Sequence, residues 1–167
     1  ATAIRALMAE VLEGITTLIT THSALDAHAL ASHVAIIEAG AVAEFGPTTR
    51  VLAKPHTRFA ARMAGRVLLT GEPEPAGLRL ADGTLVRCET EAVADGASAA
   101  LCIHPRDVAL APSGIRDVVT GLEPQGDLVR VHGEQLAADV DPVAQPLPRP
   151  GDHIHFEIAS APAAYAI

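Results

Sequence analysis

The first 65 residues alternate between helical spacing of apolar positions and short apolar runs. Ile4, Leu7 and Val11 recur at the spacing of one helix face, and they predict a helix that ends before Gly14. The run at 15–20 (ITTLIT) is rich in β-branched residues and apolar enough for a strand buried on both faces. The pattern therefore opens with a helix followed by a buried strand.

A second helix and a strand pair follow in the same pattern. Ser23 is placed to cap a helix over 24–32, because a serine oxygen can accept a free backbone N–H of the first turn. The apolar run 34–38 predicts a strand. Ala39-Gly40 then turns the chain, and 41–45 returns as its hairpin partner.

Two short helices close this part of the chain. Thr48 is predicted to cap a helix that ends at Ala53, and Thr57 a helix over 58–64. The order helix, strand, helix, strand, strand, helix indicates the last part of an α/β domain with a parallel sheet. About 65 residues hold too few elements for a complete doubly wound domain.

Residues 66–167 consist of short apolar runs between turn signals, a pattern typical of sandwiches and small barrels. The pair Asp82-Gly83 predicts a tight hairpin between strands at 78–80 and 84–88. The segment 72–75 (EPEP) is interpreted as a surface loop. Further strands are predicted at 98–103, 107–110, 118–122, 127–132, 135–140 and 153–158. The second part is thus expected to be an all-β, OB-like barrel domain.

Composition supports a folded protein with an aliphatic core. Apolar residues make up 49% of the chain and aromatic residues 2%, so Val, Leu, Ile and Ala must fill the interior. No apolar run approaches the ~20 residues that span a bilayer, and no segment resembles a signal peptide. Because the sequence begins with Ala1, we expect a processed product or a piece of a longer protein.

The charge is unevenly distributed along the chain. Five of the 12 basic and five of the 20 acidic residues lie in residues 1–65, so the whole excess of eight negative charges belongs to residues 66–167. An acidic surface disfavours nucleic-acid binding, which depends on neutralising phosphates. The change in charge also indicates two units joined near Gly65.

The sequence gives little support for a metal site or for a redox-active pair of thiols. His153 and His155 point to the same side of a predicted strand and could form half of a zinc site, but a solvated strand face is the better interpretation. Cys88 and Cys102 are interpreted as small buried residues, not as a redox pair.

Residues 18–65 carry an ordered set of segments with a specific resemblance. The run ending in Thr21-His22-Ser23 is followed by Asp26-Ala27, then by 30–37 (LASHVAII) and by 40–46 (GAVAEFG). This set resembles the end of the ATPase subunits of ABC transporters, which read VTHD, EA, LADRVAVL and G-x-V-x-x-x-G in that order. The endings VLAKP and FAARMAG continue the resemblance.

By this resemblance His22 is the switch-loop histidine, which contacts the γ-phosphate of ATP and makes ATP with Mg the implied cofactors. An imidazole at the C-terminal end of a buried parallel strand lies where such sheets bind ligands. It can donate a hydrogen bond to a phosphate oxygen and help position the attacking water. The alternative is that His22 only caps the strand–helix junction. Ser23 and Ser32 stand where the family has aspartate, and His33 where it has arginine.

Three motifs that the family places upstream of this histidine are absent. The sequence holds one lysine, Lys54, and no G-x-x-x-x-G-K-[ST] loop, which is needed to cradle the phosphates of ATP. The LSGGQ signature and an apolar strand ending in Asp-Glu are also missing. The chain is therefore interpreted as the C-terminal portion of such a subunit, and alone it is expected not to hydrolyse ATP.

The second part resembles the accessory domain that follows the ATPase domain in importers of the molybdate, sulfate and sugar types. The segments 101–110, 119–131 and 150–158 resemble the family's AxRPEDVxL, GTVTxLEPxGDLVRV and PGDxVxFSV. In molybdate-binding barrels, an S-x-R-N turn and a KAT segment donate hydrogen bonds to the oxyanion.

The corresponding oxyanion-binding candidates in this chain are Ser113, Arg116 and Ser160, with Asp117 in place of the asparagine. A barrel that only packs or dimerises is the alternative.

The resemblance implies an importer for molybdate or a related oxyanion, located at the cytoplasmic side of the plasma membrane. Its implied partners are a second copy of the same subunit and the transmembrane permease subunits. Sugar, sulfate and iron are alternative solutes. A stand-alone oxyanion-binding or dimerisation module without ATPase activity is the alternative from another functional class.

Overall fold

The computed structural model describes residues 2–91, 93 and 96–167, without the side chain of Thr2. The chain divides into two compact units, Ala1–Ala64 (unit 1) and Gly65–Ile167 (unit 2). Among the described residues, no helix has the length and apolar character needed to cross a membrane.

Unit 1 combines short helices with one antiparallel hairpin. Its described elements are α1 (Thr2–Val11), α2 (Ala24–Leu30), β1 (His33–Glu38), β2 (Ala41–Pro47), α3 (Thr48–Ala53) and α4 (Arg58–Met63). The turn between β1 and β2 places Ala39 and Gly40 at φ 49° and 79°, the left-handed pair that matches the twist of a tight hairpin. The helix caps at Ser23 and Thr57 are as predicted, since their side chains accept the N–H groups of Asp26 and Ala60.

The strand predicted at 15–20 is wrong. These residues form no strand in the structure, and Leu18 is 95% exposed. A strand buried on both faces needs neighbours that bond its backbone and cover its side chains, and none of the described strands pairs with this segment. The parallel sheet predicted for this part is likewise not found among the described residues, because the described sheet of unit 1 is the β1–β2 hairpin, which is antiparallel.

The cap predicted at Thr48 is also wrong. Pro47 occupies the N-cap position of α3 and makes no side-chain bond there. The Thr48 hydroxyl instead donates to the carbonyl of Ala31 at 2.6 Å, and its N–H donates to Ser32 at 3.0 Å. Thr48 therefore joins the end of β2 to the end of α2.

The hairpin of unit 1 has one covered and one exposed face. Ile36 is buried with Val51 and Ala60. On the other face Ile37, Val42 and Phe45 are 63–65% exposed. The exposed face is apolar, a composition more typical of a covered sheet than of a free surface.

Unit 2 is built almost entirely from strands. Its described strands are β3 (Val67–Glu74), β4 (Gly77–Arg79), β5 (Leu85–Arg87), β6 (Ala99–Ile103), β7 (Val108–Ala111), β8 (Ile115–Gln125), β9 (Leu128–Gly133), β10 (Ala137–Val140), β11 (His153–Ile158) and β12 (Tyr165–Ala166). They form two five-stranded sheets in the orders β12-β6-β3-β4-β5 and β10-β9-β8-β11-β7. All pairs within these sheets are antiparallel.

The β-rich character of unit 2 agrees with the sequence pattern, whereas a closed barrel does not appear among the described strands. A 3₁₀ turn at Pro105–Asp107 carries the chain from β6 in one sheet to β7 in the other. The edge strands β7 and β10 of the second sheet lie against each other without pairing. The second sheet is thus curled but open.

The hairpin predicted at Asp82-Gly83 is confirmed, since it joins β4 to β5 with Gly83 at φ 84°. The loop predicted at 72–75 is wrong, because β3 continues to Glu74 and pairs with β4 there. Pro73 is tolerated because β6 pairs only with residues 67–71 of β3, so the missing N–H breaks no bond on that side.

The core of unit 2 lies between the two sheets and is mainly aliphatic, as the composition predicts. Its largest fully buried side chains are Phe156, Leu78, Leu101, Ile103, Leu136, Val119 and Val131. Both sheets contribute, so neither sheet buries its apolar face without the other.

Candidate functional site

His22 lies in the short segment that leads into α2. Residues 12–23, between α1 and α2, form neither helix nor strand, and the His22 side chain is exposed. The expected position at the end of a buried strand is not found, because 15–20 is not a strand. The imidazole nevertheless faces solvent, where an anionic group can reach it.

The backbone on both sides of His22 is held by hydrogen bonds. The N–H of Ser23 donates to the hydroxyl of Thr21 at 3.0 Å, and that hydroxyl donates to Oδ2 of Asp26 at 3.1 Å. The N–H of Asp26 donates to Oγ of Ser23 at 3.2 Å. The segment 21–23 is therefore a closed turn in front of α2, and His22 occupies its middle position.

A salt bridge joins this turn to α1. Nε of Arg5 lies 2.5 Å from Oδ1 of Asp26, and both side chains are about one-third exposed or less. The hydrogen bond from Arg5 is the main cause that lowers the pKa of Asp26, and the Thr21 hydroxyl lowers this pKa further. Asp26 is therefore charged at neutral pH and accepts both bonds.

The chemistry available at this turn is contact with an anion by an imidazole on a fixed backbone. A histidine ring can donate one hydrogen bond when neutral and two when protonated. A phosphate oxygen is a suitable acceptor for either form. Sequence reasoning found His22, the Ser23 cap and Asp26 as part of a motif, but it missed the salt bridge of Asp26 with Arg5, which joins positions 21 residues apart.

The three oxyanion candidates do not meet at one place. Ser113 lies in the connection after Ala111, the last residue of β7, and Arg116 follows on β8; both are exposed. Ser160 lies beyond β11, near the opposite end of β7, because the N–H of Ala159 donates to the carbonyl of Asp107. At roughly 3.3 Å per residue the two ends of β7 are about 10 Å apart.

Asp117, which follows Arg116 in the sequence, is buried, and its carboxylate is bound by backbone N–H groups. Only 4% of the residue is exposed. Its carboxylate accepts the N–H groups of Val118 (2.7 Å), Glu134 (2.8 Å), Gln135 (3.1 Å) and Leu136 (3.0 Å). This carboxylate stabilises the turn between β9 and β10, so it stands as a structural group at a position where the resemblance expects an oxyanion donor.

A second buried carboxylate is structural in unit 1. Oε1 of Glu44 accepts a hydrogen bond from Nη1 of Arg50 at 3.0 Å, and Oε2 accepts one from the backbone N–H of His56 at 2.9 Å. Nη2 of Arg50 donates to the carbonyl of Phe45 at 2.8 Å. The pair therefore joins β2 to α3 and to the segment before α4.

Burial is the main cause of the pKa shifts of two thiols and one imidazole in unit 2. Cys102 is buried as predicted, Cys88 is partly buried, and burial raises the pKa of both thiols. Burial also lowers the pKa of His104, and the positive charges of Arg66 and Arg106 add to this effect. In the part of the chain that the structure describes, no three metal-ligating side chains come together.

Comparison with known proteins gives a consistent result. No protein-family model matches the chain. It is 32% identical over 164 residues to the molybdenum import ATP-binding protein ModC of Mycobacterium tuberculosis, in both strain H37Rv and strain CDC 1551 / Oshkosh. It is 30% identical over 118 residues to the sulfate/thiosulfate import ATP-binding protein CysA of Caulobacter vibrioides.

These matches cover most of this chain but a minor part of each relative. The ModC match covers 87% of the chain and 44% of the relative, and the CysA match covers 71% and 34%. The chain therefore spans less than half the length of the curated relatives that it matches.

Proposed function

The chain belongs to the family of ATP-binding subunits of ABC importers, and we propose that it forms the C-terminal part of such a subunit. The complete subunit is proposed to drive the uptake of molybdate or a related oxyanion. The observation that carries this proposal is the match to a molybdenum and to a sulfate/thiosulfate import ATP-binding protein. Unit 1 is the end of the ATPase domain, and unit 2 is the accessory domain. The partners are a second copy of the subunit and the transmembrane permease, at the cytoplasmic face of the membrane.

His22 is the residue of this chain that contacts nucleotide. The ATP that would bind with Mg in the complete subunit supplies the γ-phosphoryl group for hydrolysis. His22 donates a hydrogen bond to a γ-phosphate oxygen and helps orient the attacking water. Support comes from its exposed imidazole and from the hydrogen bonds that hold Thr21 and Ser23 on either side of it.

This chain alone is expected not to hydrolyse ATP. Its sequence lacks a P-loop, so no run of backbone N–H groups with a following lysine is present to hold the phosphates. The other half of the nucleotide site is proposed to come from the preceding part of the subunit and from its second copy.

Unit 2 is proposed to pack against the second copy. Ser113 and Arg116 lie apart from Ser160, and the neighbouring Asp117 carboxylate already binds four backbone N–H groups. These placements favour packing over an oxyanion pocket at those three residues.

The experiment that tests the nucleotide role is ATP hydrolysis by the complete subunit assembled with its permease. His22→Ala is expected to lower kcat by about 10²-fold, the usual contribution of one proton-transfer or positioning group. His28→Ala is the matched control, because His28 is exposed on α2 in the same unit. Full activity in His22→Ala would show that His22 is only a junction residue.

A further inference from the structure

The hydrogen bonds around His22 converge on one carboxylate. Asp26 lies in the first turn of α2, and its two oxygens have partners on different elements: Oδ1 pairs with Arg5 on α1, and Oδ2 accepts the hydroxyl of Thr21. We propose that Asp26 is a positioning residue for His22. This inference rests on the proposed role of His22 and assigns the groups that hold it in place.

The Asp26 carboxylate acts first on the backbone next to His22. Its bond to Thr21 orients a hydroxyl that in turn accepts the N–H of Ser23 at 3.0 Å. The residues on both sides of His22 are thus held, while the imidazole itself is exposed. A side chain presented from a fixed backbone loses less conformational entropy when it meets a phosphate, and it meets the phosphate in one orientation.

The second contribution of the Asp26 carboxylate is to connect α1 to the turn in front of α2. Residues 12–23 contain no helix or strand, so the chain between α1 and α2 has no ladder of its own to define its path. The bond from Arg5 spans this segment and ties α1 to the turn that carries His22. Arg5 therefore holds the carboxylate in the orientation that leaves Oδ2 for Thr21.

The first test uses the chain itself and needs no nucleotide. Thr21→Val removes the hydroxyl but keeps the shape, and it is expected to speed amide hydrogen exchange at Ser23 by about 10-fold because the turn opens more often. Thr17→Val is the matched control: the Thr17 hydroxyl, in the same segment, donates to the carbonyl of Ile15 at 3.2 Å. Equal exchange at Ser23 in the wild type and in Thr21→Val would overturn the proposed network.

The second test measures ATP hydrolysis by the complete subunit with its permease. Asp26→Ala and Thr21→Val are each expected to lower kcat by about 10-fold and to leave the KM for ATP within about twofold, since an imprecisely held group loses transition-state contacts first. Asp26→Glu is expected to restore most of the activity. Thr17→Val should match the wild type.

The outcomes separate this inference from the proposed function. A large loss in His22→Ala together with wild-type kcat in Asp26→Ala would overturn the positioning role and leave the nucleotide role intact. Loss of activity in parallel with a lower melting temperature, without rescue by Asp26→Glu, would make Asp26 a residue needed only for folding. Wild-type activity in His22→Ala would remove the proposed nucleotide contact of His22, and with it the positioning role of Asp26.

Discussion

At the scale of single residues, the buried carboxylate of Asp117 shows how a charge inside this protein is stabilised by hydrogen bonds. Asp117 is an acid on an inward-facing strand position, between the buried residues Ile115 and Val119. A buried carboxylate is costly unless its oxygens are bonded, and here four backbone N–H groups provide those bonds. Three of these groups belong to residues 134–136, so the carboxylate stabilises the turn between β9 and β10.

We expect Asp117→Asn to destabilise unit 2. The amide has one acceptor oxygen in place of two, so its NH₂ group faces N–H donors and leaves them unbonded, at a cost of about 3 kcal/mol. Urea unfolding of the chain measures this change. Asp127→Asn removes the same charge at an exposed turn position and is expected to change the free energy of unfolding by less than about 0.5 kcal/mol.

At the scale of secondary structure elements, close approach of backbones decides which residues a strand accepts. β4 begins at Gly77, which has φ 147° and lies so near β5 that an added Cβ would stand 2.0 Å from the carbonyl oxygen of Val86. An L side chain therefore meets both a strained backbone and a clash that the paired strands cannot relieve. The glycine at the start of β4 is therefore required by the neighbouring strand β5, whatever the strand propensity of β4 itself.

Gly77→Ala is expected to destabilise unit 2 by about 3 kcal/mol, through backbone strain and the clash with β5. Thermal unfolding followed by circular dichroism measures it. Gly121→Ala in β8 is the control, because a Cβ at Gly121 meets nothing within 4 Å and its φ is not in the left-handed region. Equal melting temperatures for the two variants would contradict the close approach of β4 and β5.

At the scale of the whole molecule, the surfaces of the two units differ in kind. Unit 1 leaves apolar side chains exposed on its hairpin and on α1, where Ile4, Leu7 and Val11 are 60–64% exposed. Unit 2 holds both of its sheets around one core and carries the excess negative charge. The long-range field of unit 2 therefore opposes the approach of an oxyanion, although salt screens it beyond about 8 Å.

Calorimetry tests whether unit 2 senses the transported solute. Titrating molybdate, sulfate and tungstate into the chain is expected to give no heat above dilution. Ser113 and Ser160 lie near opposite ends of β7, and the Asp117 carboxylate already accepts four backbone N–H groups. A molybdate heat that disappears in Arg116→Gln would show that the oxyanion candidates form a site and would replace the packing role.

Local patterns predict well where the interaction is local. The caps at Ser23 and Thr57 and the turns at Ala39-Gly40 and Asp82-Gly83 depend on residues within four positions of each other, and the structure confirms them. The cap predicted at Thr48 failed because its hydroxyl is used by Ala31, 17 residues away. The candidate site divides in the same way: His22 is visible in a motif, but the salt bridge between Arg5 and Asp26 is not, because it joins residues 21 positions apart.

The sequence by itself determined the division of the chain into a mixed and a β-rich part, the turns, the excess of charge in the second part and the resemblance that identifies the family. Only the tertiary structure decided that 15–20 is not a strand, that β6 and β7 belong to different sheets, and that Asp117 and Asp26 are held by distant groups. The physical reason is that strand pairing and the burial of charge depend on neighbours far along the chain, whereas caps and turns carry their partners with them.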